Sequence, residues 1–180
     1  MRASRTLVDG RGAERVALAL AAQKLTVRPA QMSDARLMFD WRNHAAVRAV
    51  SGTQGPLNWD AHRAWLQQAL DDPARALFVG QISNRDVGGI RFDFGEGRRA
   101  EVSLYVDPDL HGLGLGPALL RAGEKAADPA IIEARVIEGN TASSRLFAKS
   151  GYRQTGPTRW EKRRDSAKSD ATPAAYGLPA

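Results

Sequence analysis

Apolar residues recur along this chain with two periods, and the switches between them mark its elements. Leu25, Val27 and the residues between them form a short strand at 25–28, closed by Pro29. Leu37, Met38 and Trp41 then fall at helical spacing over 32–42, with Ser33 or Asp34 near the start. A polar Gly/Pro loop at 51–56 leads to a second helix over 59–70, which carries Trp59, His62, Trp65, Leu66 and Ala69 on one face. Residues 76–82 and 87–94 predict paired strands around a turn at 83–86. Over 101–106, Val102, Leu104 and Val106 alternate against Glu101, Ser103 and Tyr105, the pattern of a half-buried strand. A helix over 115–126, a strand over 131–136, a helix over 141–150 and strands near Tyr152 and Trp160 complete the series. The order β-α-α-β-β-β-α-β-α-β predicts an α/β or α+β domain, a central mixed sheet flanked by helices, over 25–162.

The two ends read differently. An Ala/Leu-rich helix over 13–23 shows no clear partner and is expected to be an appendage, whereas 163–180 lacks apolar periodicity and is expected to be disordered. The net charge of +6 concentrates there as well: 1–24 carries +3, 159–170 carries +2, and 25–158 only +1. No stretch interleaves Lys or Arg with aromatics as an RNA-binding sheet does, so no nucleic-acid partner is expected. Without cysteine there is no disulfide or cysteine-based zinc site, and no metal is expected. The apolar run 16–22 is too short to span a bilayer and lacks signal-peptide flanks. A cytoplasmic protein without a membrane partner is the expectation, and an oligomer is compatible with it.

The most informative segment is Val106-Asp107-Pro108-Asp109-Leu110-His111-Gly112-Leu113-Gly114-Leu115-Gly116-Pro117. Alternating glycines remove Cβ atoms where a strand turns into a helix, so backbone N–H groups can approach an anion at the positive end of the helix dipole. Pro117 is tolerated in the first helical turn. The loop suits a pyrophosphate, although a plain tight turn would use the same glycines. It lacks the Gly-Lys-Ser/Thr ending of a P-loop and the Gly-x-Gly-x-x-Gly spacing of a dinucleotide fold.

This loop resembles the coenzyme-A loop of the GNAT superfamily, Arg/Gln-x-x-Gly-x-Gly/Ala, with His111 first, Gly114 fourth and Gly116 sixth. His111 departs from the usual Arg or Gln. The segment Asn140-Thr141-Ala142-Ser143-Ser144-Arg145-Leu146-Phe147-Ala148-Lys149-Ser150-Gly151-Tyr152 is similar to that family's second motif, Asn-x-x-Ser-x-x-Leu-Tyr/Phe-x-Lys-x-Gly-Phe/Tyr. The resemblance implies the GNAT fold, with a mostly antiparallel sheet, and an N-acetyltransferase that uses acetyl-CoA. It implies a V-shaped opening between strands 101–106 and 131–136. Leu104, Tyr105 and Val106 would pair with pantetheine, and the loop His111, Gly112, Leu113, Gly114, Leu115 and Gly116 would take the pyrophosphate. Asn140, Ser143, Phe147 and Lys149 would line the cofactor from the next helix.

The acceptor half carries its own resemblance. Trp41-Arg42-Asn43-His44, Val47-Arg48 and Trp59-x-x-His62-x-x-Trp65 are similar to the sugar-nucleotide N-acetyltransferases of pseudaminic acid biosynthesis. Residues 7–16 are similar to the end of the UDP-sugar hydrolase domain from the same pathway, which makes 1–24 a remnant of that domain. The resemblance implies an acceptor such as a UDP-4-amino-4,6-dideoxy sugar, bound by Trp41, Arg42, Asn43, Arg48, His62 and Trp65. Cations would meet its diphosphate and flat rings its uracil; the same residues could equally serve the core. Rival readings are a protein N-terminal or lysine N-acetyltransferase, and a non-catalytic acyl-CoA-binding module.

Acetyl transfer requires an uncharged amine and a proton for the departing thiolate. Glu101 is the candidate base and Ser103 shares its strand face. Relatives often carry a Tyr where this chain has Phe147, which cannot donate a proton; Tyr105 and Tyr152 could substitute, though neither matches the family position, and solvent could protonate the thiolate directly.

Overall fold

The computed structural model describes residues 12–52 and 55–164. The elements are α1 Gly12–Ala21, β1 Thr26–Pro29, α2 Ala35–Asn43, α3 Ala45–Arg48, α4 Trp59–Asp71, β2 Arg75–Ile82, β3 Arg85–Phe94 and β4 Arg99–Val106. They continue with α5 Leu115–Ala127, β5 Ile131–Arg135, α6 Thr141–Lys149, β6 Arg153–Gly156 and β7 Arg159–Arg163. Among the described residues the strands form one sheet in the order β1-β2-β3-β4-β5-β7-β6. Every pairing is antiparallel except β4 with β5.

Strand alternation sorts side chains onto two faces. Ala76, Phe78 and Ile82 of β2, with Ala100 and Val102 of β4, turn toward α5 and join Leu115, Leu119 and Leu120 in the main core. Leu77 and Val79 turn the other way and meet Met38 and Trp41 of α2 and Leu66 and Ala69 of α4 in a second core. The hairpin β2–β3 closes through Ser83 and Asn84, both at positive φ (48° and 66°), as a two-residue turn requires.

Two expectations are corrected. The first helix does have a partner: Leu18 is 8% exposed and belongs to the main core beside Leu25, while Val16 and Leu20 stay exposed. The chain remains ordered past 162. β7 ends at Arg163, and Arg164 donates from its amide to Ala130 and from its guanidinium to Asp128. The basic run 162–164 is thus used in the fold, with Lys162 on the buried Glu124 at 2.7 Å and Arg163 on Glu161 at 3.0 Å. A short helix, α3, lies between the first predicted helix and the 51–56 loop, where the chain pattern assigns no element. His44 caps it by accepting from the Ala46 amide. Residues 1–11 and 165–180 lie outside the described residues, so most of the hydrolase-like segment and of the expected tail falls there.

Candidate active site

β4 is paired with β3 from Ala100 to Val106 but with β5 only from Arg99 to Val102. Beyond that point the parallel strands part, which opens the sheet at Ser103–Val106. The Asp107 amide donates to the Val87 carbonyl at 2.9 Å. By the alternation of an antiparallel pair, Tyr105 then also spends its backbone groups on β3, opposite Gly89. Leu104 and Val106 turn theirs into the opening. His111 covers one of them, its Nε2 lying 3.1 Å from the Val106 carbonyl.

A cavity of about 480 Å³ runs from this gap over the glycine loop to α6. Gly112 and Gly114 adopt φ of 82° and 73°, a region that side chains rarely enter, and Gly114 is the residue from which α5 starts. A Cβ on Gly116 would stand 2.6 Å from Leu146 of α6, so glycine lets the two helices close on one another. The amides opening α5 therefore face the cavity without side-chain cover. Of the residues the coenzyme-A resemblance points to, Leu104, Tyr105, Val106, His111, Gly112, Gly114, Leu115, Gly116, Asn140, Ser143 and Lys149 line it. Asn140 also caps α6, accepting from the Ser143 amide at 3.0 Å. Leu113 and Phe147 do not line it. Leu113 packs on the core, and Phe147, 4% exposed, stacks edge-on against Tyr152 at 4.9 Å because it lies on the apolar face of α6. Arg145, one turn before Lys149, and Val47, Val50 and Ser51 from the α3 region complete the wall.

A second cavity, about 310 Å³, lies on the α2/α4 face of the sheet. Arg42, His62, Trp65, Arg91, Ser103 and Tyr105 contribute to it, and among the described residues no carboxylate does. Tyr105 is the residue that lines both cavities. Its hydroxyl lies over Gly89, where a Cβ would come within 2.6 Å, and it has no hydrogen-bond partner. Burial raises its pKa well above the ordinary phenol value, outweighing the charges of Arg42 and Arg91, so it stays protonated. Arg42 stands over the Tyr105 ring at 5.6 Å and donates to Ser51 Oγ at 3.2 Å, with no ion pair. Burial lowers its pKa, although a guanidinium remains charged at neutral pH. Arg91 pairs with Asp93 at 2.8 Å, lies over Trp65 at 5.7 Å, and keeps a buried Nε without a partner. Nothing in the chain pattern marks Arg91 except its charge between the apolar Ile90 and Phe92 of β3.

The remaining sequence candidates separate. Trp41 is a core residue, 6% exposed, edge-on to Tyr105. Asn43 accepts from the Leu57 amide and so fixes the loop. Arg48 lines neither cavity. Glu101 shares a strand face with Ser103 and Tyr105 but lines a separate polar hollow with Glu133 and Arg135, 3.7 Å from the latter. Tyr152 donates to Glu124 at 2.8 Å within the core, which removes it as a proton donor to either cavity.

A family model described as an acetyltransferase (GNAT) domain matches residues 24–153. The peptidyl-lysine N-acetyltransferase YjaB of Salmonella typhimurium is 29% identical over 123 residues, 67% of this chain and 77% of that protein. In fold, the chain resembles the spermidine N-acetyltransferase of Vibrio cholerae in complex with CoA and spermine. The TM-score is 0.71 at 16% identity, covering 77% of this chain and 95% of the other. It also resembles the aminoglycoside acetyltransferase AAC(6′)-Ib in complex with coenzyme A, at a TM-score of 0.68 and 15% identity over 78% and 95% of the two chains. With the domain match spanning most of its length and the sheet opening where that fold requires it, the chain belongs to the GNAT family of acetyl-CoA-dependent N-acetyltransferases.

Proposed function

We propose that this enzyme transfers the acetyl group of acetyl-CoA to the amine of a nucleotide-linked amino sugar, of the UDP-4-amino-4,6-dideoxy kind used in pseudaminic acid biosynthesis. The observation that carries the reading is the second cavity: Arg42, held without a carboxylate, and Arg91 share a lining that contains no acid. Such a site favours an anion and repels polycations, because the buried Arg42 charge is offset by no carboxylate, whereas that of Arg91 is already shared with Asp93. Trp65 adds a flat wall. Phosphate oxygens suit guanidinium donors, and a ring suits the indole. Acetyl-CoA would occupy the first cavity, with its pantetheine against the free groups of Leu104 and Val106 and its pyrophosphate at the start of α5. Tyr105, protonated and bordering both cavities, is the proposed proton donor to the thiolate. The proposed reading also accommodates residues 1–24 as the end of a hydrolase domain and implies a cytoplasmic enzyme.

A panel of amines with acetyl-CoA, read by released thiol, tests the proposal. UDP-amino sugars should turn over, while spermidine, aminoglycosides and lysine peptides should be poor. Efficient acetylation of any of these cationic amines, with UDP-sugars inert, would defeat the reading.

A further inference from the structure

Glu101 faces another hollow, so the acceptor cavity lacks the base that the strand pattern offers it. One residue there has the opposite fate. His62 is 7% exposed, yet it lines the cavity, and its Nε2 is buried without a hydrogen-bond partner. A buried, unsatisfied ring nitrogen costs stability and is uncommon in folded proteins. The ring is held by Phe39 at 5.5 Å and Trp65 at 5.6 Å, with Trp59 behind at 6.4 Å. This cage, with a backbone hydrogen bond at Ala35, fixes its orientation and leaves Nε2 free.

We propose that His62 is the general base, its Nε2 taking a proton from the attacking amine directly or across one water. The inference rests on the second cavity being the acceptor side. The charged and titratable groups around the ring favour its neutral form. Burial lowers the His62 pKa, a backbone hydrogen bond at Ala35 opposes this, and the charge of Arg42 lowers it again. Arg91 and Tyr105 share the cavity, Arg36 stands over the Phe39 and Trp59 rings, and Asp34 at the start of α2 is engaged by Arg28. With Nε2 unpartnered, the ring N–H at Ala35 falls to Nδ1, which leaves the Nε2 lone pair free. In the step, the amine lone pair attacks the thioester carbonyl carbon and its N–H proton, acidified as the C–N bond forms, passes to Nε2. The C–S bond breaks with its electron pair on sulfur, and the thiolate takes a proton from Tyr105, which solvent restores.

The test uses the full chain and whichever amine of the panel turns over fastest, so it stands even if that amine is not a nucleotide sugar. H62Q should lower kcat by about a hundredfold or more, with the Kd for acetyl-CoA unchanged. On the acid side, log(kcat/KM) of the parent should steepen from slope one to slope two below His62's titration, under its ordinary 6.5. One proton belongs to the amine and one to His62, so H62Q should keep slope one throughout. H62A should regain part of its turnover in added imidazole, an effect that a purely packing role does not produce. Retention of slope two with kcat within about threefold of the parent would overturn the assignment. So would an H62A protein indifferent to imidazole, and a panel in which no amine reacts would remove this inference together with the acceptor reading.

Discussion

Arg42 and Arg48 stand six positions apart in one short segment, and the structure gives them different surroundings. Arg42, in the last turn of α2, enters the acid-free cavity over Tyr105, whereas Arg48, in the last turn of α3, lines neither cavity. If the acceptor carries a phosphate, Arg42 makes a charge-assisted contact worth about 1.5–3 kcal/mol, or roughly ten- to a hundredfold in affinity. Arg42→Ala should therefore lower acceptor kcat/KM by that factor and leave the acetyl-CoA Kd level. Arg48→Ala should do little to acceptor kinetics. Steady-state kinetics on both proteins, with circular dichroism to show folding, checks the pair; equal effects would show that Arg42 is no more involved with the acceptor than Arg48. The segment Trp-Arg-Asn-His is legible in the chain as something other than plain core. Which of its members face the cavity was not, since a half-turn of helix decides it.

At the scale of elements, the junction between β4 and α5 is the proposed cofactor loop, and it offers backbone rather than side chains. Gly114, at φ 73°, starts α5, and no side chain within 4 Å of it would block a Cβ; its requirement is conformational. Gly114→Asp places a Cβ in a left-handed backbone and a negative charge where an anion should sit. It should abolish measurable acetyl-CoA binding. His111→Ala removes only a ring nitrogen from the exposed Val106 carbonyl and should cost less than about tenfold, the scale of one neutral hydrogen bond. Calorimetric titration distinguishes them, and similar losses would argue that His111 itself holds the cofactor. This loop was readable from sequence because a glycine's conformational freedom belongs to the residue.

For the whole molecule, one sheet separates two working faces. α5 and α6 close the face of the first cavity, proposed for the cofactor, while α2 and α4 close that of the second, proposed for the acceptor, and Tyr105 borders both. The cofactor side is tied at its far end by Glu124, which receives Tyr152 at 2.8 Å and Lys162 at 2.7 Å. α1 adds Leu18 to that same core. Deleting 1–24 should leave a folded protein that binds acetyl-CoA, but without the burial of Leu18. A loss of about 2 kcal/mol, or roughly 4–8 °C in Tm, is expected. An unchanged Tm would mean that α1 contributes nothing to the core, and a chain that fails to fold would mean that it contributes far more than one leucine.

The sequence by itself determined the element order, the two-faced strands and the glycine loop, because period and backbone freedom are local properties of the chain. It did not determine the fate of individual polar side chains. Glu101 and Ser103 share a strand face by alternation, yet the twist and splay of the sheet send them to different hollows. Phe147 occupies the position of a motif tyrosine, and packing against Tyr152 puts it in the core. Arg91 enters the second cavity, and His62 keeps a free nitrogen there, because α4 packs on β2 while α2 packs on β3 and β4, which brings segments distant in sequence to one hollow. Chain pattern specifies which face a residue takes; what that face meets is settled by contacts between distant segments, and so by the tertiary structure alone.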